Sequence, residues 1–204
     1  MSLSSLSSRR DLRGLRSFTL IELMVVMAVI AILSAITLGA MQYAQNAAGR
    51  SRAQSEIAAF EAGLERYKID NGVYPATSPT NMMTLGPGGT NYDIIPTDQA
   101  YISNSVILYQ ALSGKTNFTD VTSNTVYMEF KANQVNTNTF NANYIKDPFS
   151  YAYGYVCDPP NVTTTNGGNV LFNVGFFDIW STSGQAGTGK ETNTGLWVSN
   201  WGTH

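Results

Sequence analysis

Between Arg16 and Arg50 the chain carries a single charge, Glu22, set at the rim of a run that otherwise suits a lipid bilayer. Residues 16–38 read RSFTLIELMVVMAVIAILSAITL, and the nineteen residues from Leu23 to Met41 are uncharged and mostly Val, Ile, Leu, Met and Ala. At about 1.5 Å rise per residue, a helix of that length covers roughly 28 Å, close to the hydrocarbon thickness of a membrane. A carboxylate at its edge is expensive in hydrocarbon, so it calls for a partner or a task. Arg9, Arg10, Arg13 and Arg16, against Asp11 alone, make the preceding flank positive, while the following flank is not. That asymmetry keeps the N-terminus cytoplasmic and sends the remainder across.

Three readings of this segment compete. A cleavable secretory signal has a shorter apolar core followed by a small-x-small site, and the nearest candidate, Leu38-Gly39-Ala40, has Leu where a small residue belongs. A plain uncleaved anchor explains length and flanking charge but leaves Glu22 unexplained. The basic leader, small residue, Phe18-Thr19-Leu20-Ile21-Glu22 and apolar helix together resemble the N-terminus of type IV pilins and of the pseudopilins of type II secretion. This third reading accounts for every feature.

The resemblance implies that a prepilin peptidase cuts on the cytoplasmic face between Ser17 and Phe18, and that the new amino group of Phe18 is methylated. Residues 1–17 are then a leader. Ser17 departs from the glycine usual in the family. Gly14 offers another cut, but would leave Arg16 inside the mature N-terminus. With the cut at Ser17, Glu22 lies one helical turn from the Phe18 amine. The two groups can pair within one helix, or Glu22 of an incoming subunit can neutralise the Phe18 amine of its neighbour. Two bare charges in an apolar filament core are costly, and a pair offsets most of that cost. Glu22 and Phe18 are therefore the expected assembly residues. Gly39 stands where many pilins have a helix-bending proline, and glycine costs roughly 1 kcal/mol against Ala in a helix interior. It is a candidate bend on assembly, or else a small residue permitting close helix packing.

The organisation expected is a leader (1–17), a transmembrane or filament-core helix (18–49), an amphipathic helix (50–72) and a globular head (73–204). Ile57, Phe60, Leu64 and Tyr67 share one helical face. The helix is expected to run from Phe18 to about Ile69 and stop at Asp70-Asn71-Gly72, where Asn and Gly tolerate left-handed angles. Glu61, Glu65, Arg66 and Lys68 read as charges that are solvated or weakly paired with neighbours, with no chemistry assigned to them. Residues 76–100 are a loop by their Pro and Gly content, a second helix is expected at Ser103–Leu112, and strands at Val126–Phe130, Ser150–Cys157, Val170–Trp180 and Leu196–Trp201. The sum is an α+β fold, a long N-terminal helix packed on a small antiparallel sheet.

Further stretches resemble major pseudopilins: YKIDNGVYP over Tyr67–Pro75, Asp147-Pro148-Phe149 with an aromatic strand after it, and Phe177–Ser181 with a terminal Ser199-Asn200-Trp201. In several such proteins the loop before the tail binds calcium. Here residues 182–193 hold one acid, Glu191, and one lysine, so Asp178, Glu191 and backbone carbonyls form at best a weak site. No other cofactor or metal is expected.

The 204 residues carry a net charge of −2, and without residues 1–17 eight basic side chains face thirteen acidic ones, which does not point to nucleic acid. Cys157 is the only cysteine, so an internal disulfide is impossible; a small buried hydrophobe at a strand end is the expectation. The lack of a C-terminal cysteine pair favours a pseudopilin over the disulfide-looped pilin head. His204 is the only histidine, and no phosphate loop, nucleophile elbow or carboxylate cluster is present, so an enzyme is not expected. Asp147 and Asp178 read as turn residues. The function expected is that of a pseudopilin: a structural subunit anchored in the bacterial inner membrane by one span, with a periplasmic head. Its partners are lipid, prepilin peptidase, an inner-membrane assembly platform, and other copies or pseudopilins in a filament supporting protein export. A type IV pilin of a surface fibre and a membrane-anchored binding module are the alternatives.

Overall fold

A computed structural model describes residues 18–77, 99–115, 125–157, 173, 175–185 and 196–201. The chain divides into two compact units, residues 1–44 and 45–204. Helix α1, Leu20–Asn71, is a single α-helix of 52 residues. It begins two residues later than expected and ends where expected, with Gly72 at φ +80° and its N–H donating to the Lys68 carbonyl (2.7 Å). All residues from Phe18 to Ala48 are exposed.

In the second unit, Ile57, Phe60 and Leu64 of α1 turn one stripe into the core. Helix α2, Gln99–Ser113, starts four residues before the expected bound and has two apolar faces. Leu108, Tyr109 and Leu112 join the α1 stripe, while Tyr101, Ile102 and Val106 enter a second cluster around Trp180 and Trp197. Gly63 permits the close approach of the two helices, since a Cβ there would lie 2.9 Å from a Leu112 methyl.

Among the described residues, five short strands form two antiparallel sheets. β1 (Val135–Thr137) pairs β2 (Asn143–Ile145), and β3 (Gly154–Cys157), β4 (Phe177–Ser181) and β5 (Val198–Ser199) follow in that order. The α+β layering is the one read from the sequence. β3 and β4 are buried on both faces: Tyr155, Cys157 and Ile179 join the first cluster, Val156 and Trp180 the second. That is the period-two alternation of a strand. Cys157 ends β3 and is buried, as expected.

Several boundaries differ from the sequence reading. Val126–Phe130 is not a strand; the N–H groups of Tyr127 and Met128 both donate to the Leu112 carbonyl (2.9 Å each), so this segment caps the end of α2 instead of joining a ladder. The expected strand at Ser150–Cys157 shrinks to β3, because Asp147–Tyr151 is a tight turn with Ser150 at φ +73°. That at Leu196–Trp201 is two residues long, and Val170–Trp180 gives way to β4, which starts at Phe177 and runs one residue further, to Ser181, with residues 170–172 and 174 outside the described set. The β1–β2 hairpin was unforeseen. Of the expected loop, residues 78–98 lie outside the described set, and Gln99 and Ala100 belong to α2.

Asp147 organises its turn. Its carboxylate accepts from the N–H groups of Phe149 (3.0 Å) and Tyr151 (2.9 Å) and from the Ser181 hydroxyl, tying the turn to β4. Burial is the dominant influence and pushes its pKa up to about 6, against the three hydrogen bonds, which favour the ionised form. A folded-state pKa above the unfolded value means that this group's contribution is complete below about 4 and is lost as pH rises through about 6. The head should therefore gain stability, on the order of 2 kcal/mol from this site, between pH 7 and pH 4. Urea unfolding across that range checks it, and Asp147→Asn should flatten this component of the slope.

Candidate processing and assembly site

The motif residues sit at the start of α1. Ser17 lies outside the described residues, as do the rest of the leader and Gly14. Phe18 precedes the helix with its side chain 84% exposed. Thr19 is the residue before the first helical one, and Glu22 lies in the first turn. A helix start leaves its first N–H groups without internal acceptors, and in a membrane no water replaces them. Thr19 and Glu22 answer this reciprocally. The Thr19 N–H donates to Glu22 Oε2 (2.9 Å), the Thr19 hydroxyl donates to the same oxygen (2.8 Å), and the Glu22 N–H donates to Thr19 Oγ1 (3.3 Å). This is a capping box, and a carboxylate there also meets the positive end of the helix dipole.

Thr19 is the functional residue that the sequence reading passed over. Its signal was present: Thr19-Leu20-Ile21-Glu22 has the Ser/Thr-x-x-Glu spacing before an apolar run. The arrangement gives Glu22 a task within its own chain, independent of any neighbour. Phe18 and Glu22 are separated by one turn, as the spacing requires, and no bond between them is formed.

Beyond Glu22 the helix is long and apolar enough to cross a membrane, with a mean hydropathy of 2.6 over its most apolar window, by length and composition. Leu20, Ile21, Met24, Met27, Ile32, Ile36 and Leu38 are each more than 60% exposed. α1 runs through Gly39 as uninterrupted α-helix, and nothing lies within 4 Å of where a Cβ would stand. Two residues earlier, the Thr37 hydroxyl donates to the carbonyls of Leu33 (2.9 Å) and Ser34 (3.0 Å). Such back-bonding competes with the helix ladder and weakens it.

Within the second unit, Glu56 of α1 ties the helix to the rest of the head. Its carboxylate accepts from Arg52 Nε (2.9 Å), Gln134 Nε2 (3.0 Å) and the Tyr153 hydroxyl (2.6 Å). Burial first, and then the bond to Glu56, push the Tyr153 hydroxyl far above its ordinary range, so it stays a donor. Glu65 and Lys68, expected to be solvated or weakly paired with neighbours, both hold Tyr74: its hydroxyl donates to Glu65, and the Lys68 ammonium lies 4.4 Å from the ring centroid. Asn200 closes the C-terminal segment onto β4, accepting from the Ile179 N–H (3.0 Å) and donating to the Phe177 carbonyl (3.0 Å).

Of the candidate calcium ligands, Glu191 lies outside the described residues, while Asp178 is buried in β4 and accepts from the backbone N–H (3.1 Å) and side-chain amide (3.0 Å) of Asn173. Among the described residues, no three His, Cys, Asp or Glu side chains are grouped to hold a metal.

Residues 13–38 match the family model of the prokaryotic N-terminal methylation motif. No curated protein and no solved structure matches the chain. The motif implies a prepilin peptidase substrate that assembles into pilin-like polymers. Taken with the long apolar helix that it opens, the matched motif fits a type IV pilin-like protein.

Proposed function

We propose that this chain is a pseudopilin, a structural subunit of a type II secretion filament, and that it works without catalysis or a cofactor. It inserts in the bacterial inner membrane with residues 1–17 in the cytoplasm and the head in the periplasm. Prepilin peptidase cuts between Ser17 and Phe18, and the Phe18 amine is methylated. An assembly platform then adds subunits, the apolar helices bundle, and the lengthening filament moves exported proteins outward. The observation that carries this reading is one carboxylate, Glu22, at the head of a wholly exposed apolar helix segment. In a bundle of such helices a neighbour's amine is the group that compensates it. Gly39, beside the back-bonded Thr37, is where the helix would yield during packing.

The head favours a pseudopilin over a disulfide-looped surface pilin, because Cys157 has no second cysteine to pair with. Mass spectrometry of the chain purified from membranes tests the common step. The expected mature protein lacks residues 1–17 and carries one methyl group on the Phe18 nitrogen. An intact N-terminus overturns assembly by this route and leaves a plain anchor bearing a binding module.

A further inference from the structure

The head carries an aromatic knob and an apolar groove at opposite ends of α2. The knob is Phe140, 76% exposed at the tip of the β1–β2 hairpin. A single exposed apolar residue is ordinary, but this one is held by a stiff turn. Asn138 Oδ1 accepts from the N–H groups of Phe140 (3.0 Å) and Ala142 (2.9 Å), the Asn138 carbonyl accepts from Asn141 (3.1 Å), and Asn141 adopts φ +60°. Thr139 anchors the tip to the start of α2 by donating to Gln99 Oε1 (3.1 Å). The groove, of about 320 Å³, is lined by Arg66, Ile69, Asp70, Thr125, Val126 and Tyr127. Ile69 on its wall is 80% exposed. Tyr127 is fixed in place by bonds to Asp70 (3.1 Å) and Asn71 (3.1 Å) and by an edge contact with Tyr67. Its backbone N–H is bonded to Leu112 at the far end of α2.

We propose that Phe140 of one copy seats in the Ile69–Val126 groove of a second copy, a head-to-head contact along the polymer; this rests on the polymerisation in the proposed function. The fifteen residues of α2 hold knob and groove roughly 20 Å apart, so one head cannot fill its own groove. A knob and a complementary groove on different faces make a heterologous contact, which repeats without closing on itself, as a helical polymer demands. The chemistry also matches. The ring meets Ile69 and Val126, the Arg66 guanidinium can lie on its face, and the tip Asn138–Asn141 brings no charge against Arg66 or Asp70. The rigid turn lowers the ordering cost of docking.

The test is crosslinking in cells that express the full chain and form filaments. Phe140→Cys and Ile69→Cys are placed in separate copies and co-expressed; native Cys157 is buried and does not compete. The expected result is a disulfide-linked dimer that appears only when both variants are present. Phe140→Ala should lower sheared filament yield roughly tenfold or more, with unchanged melting of the head, and Phe140→Trp should restore it. Filaments that form without the mixed crosslink, or a crosslink between two Phe140→Cys copies, overturn the contact and leave the proposed function standing. No filament from the unaltered chain overturns both.

Discussion

Replacing Glu22 with alanine should abolish filament formation while the chain still inserts in the membrane and is still trimmed. Insertion depends on the apolar run after Glu22, and trimming on the residues around Ser17 and Phe18, so neither needs the carboxylate. Packing does. Removing one partner of a buried pair strands the other, at about 3–5 kcal/mol per subunit. That weakens subunit addition by roughly 10²–10⁴-fold. The capping box complicates the alanine result, because Glu22 also bonds the backbone N–H and hydroxyl of Thr19. Glu22→Gln separates the two tasks: its amide oxygen can accept the same two bonds, yet it carries no charge. If charge compensation drives assembly, both variants fail. If Gln assembles and Ala does not, the helix cap is what matters, and pairing with the Phe18 amine is wrong. Sheared-filament yield, with membrane fractionation and the mature mass as controls, reads the difference.

Gly154→Val should unfold or severely loosen the head. Gly154 lies opposite Trp180 in the β3–β4 register. A Cβ at that position would stand inside the indole ring, since the Trp180 side chain lies over the glycine. Trp180 cannot step aside. It is fully buried and surrounded by Trp197 (6.3 Å between ring centroids), Trp201 (5.7 Å) and Tyr101 (5.9 Å). Overpacking of this kind costs about 1–3 kcal/mol when the core can shift and more when it cannot. A valine should cost at least 3 kcal/mol, a large share of a small domain's stability. Thermal unfolding of the detergent-solubilised chain, followed by tryptophan fluorescence, should show a drop of about 6–12 °C or more. A melting temperature within a few degrees of the unaltered chain would show that the three-tryptophan cluster is looser than its packing implies.

The long helix and its stop were legible because each signal was local. The apolar run sets the first half, the Ile57–Phe60–Leu64 spacing sets the second, and Asn71-Gly72 ends it. The strands were harder. Val126–Phe130 has strand composition, but its N–H groups are claimed by the end of α2, a demand invisible until the two segments are side by side. The β1–β2 hairpin was missed for the opposite reason. Six of its eleven residues are Asn or Thr, and its turn is built from Asn138 and Asn141 with no Gly or Pro to mark it. At the candidate site, Phe18 and Glu22 stood out by charge and motif. Thr19 did not, because a cap is recognised by what its neighbour three residues on can reach. Glu56 escaped notice because two of its partners, Gln134 and Tyr153, lie 78 and 97 residues away in the chain.

Cys157 is sequestered at the end of β3, its N–H donating to the Thr77 hydroxyl, and the chain offers it no sulfur to join. The described part of the head is thus held by packed aliphatic and aromatic side chains and by hydrogen bonds, with no disulfide. Its folding needs no internal disulfide to form or reshuffle, and it should reach the same state in a reducing medium as in an oxidising one. If the head crosses the membrane as proposed, it is ready for use as soon as it emerges, without waiting on the thiol chemistry of the compartment it enters.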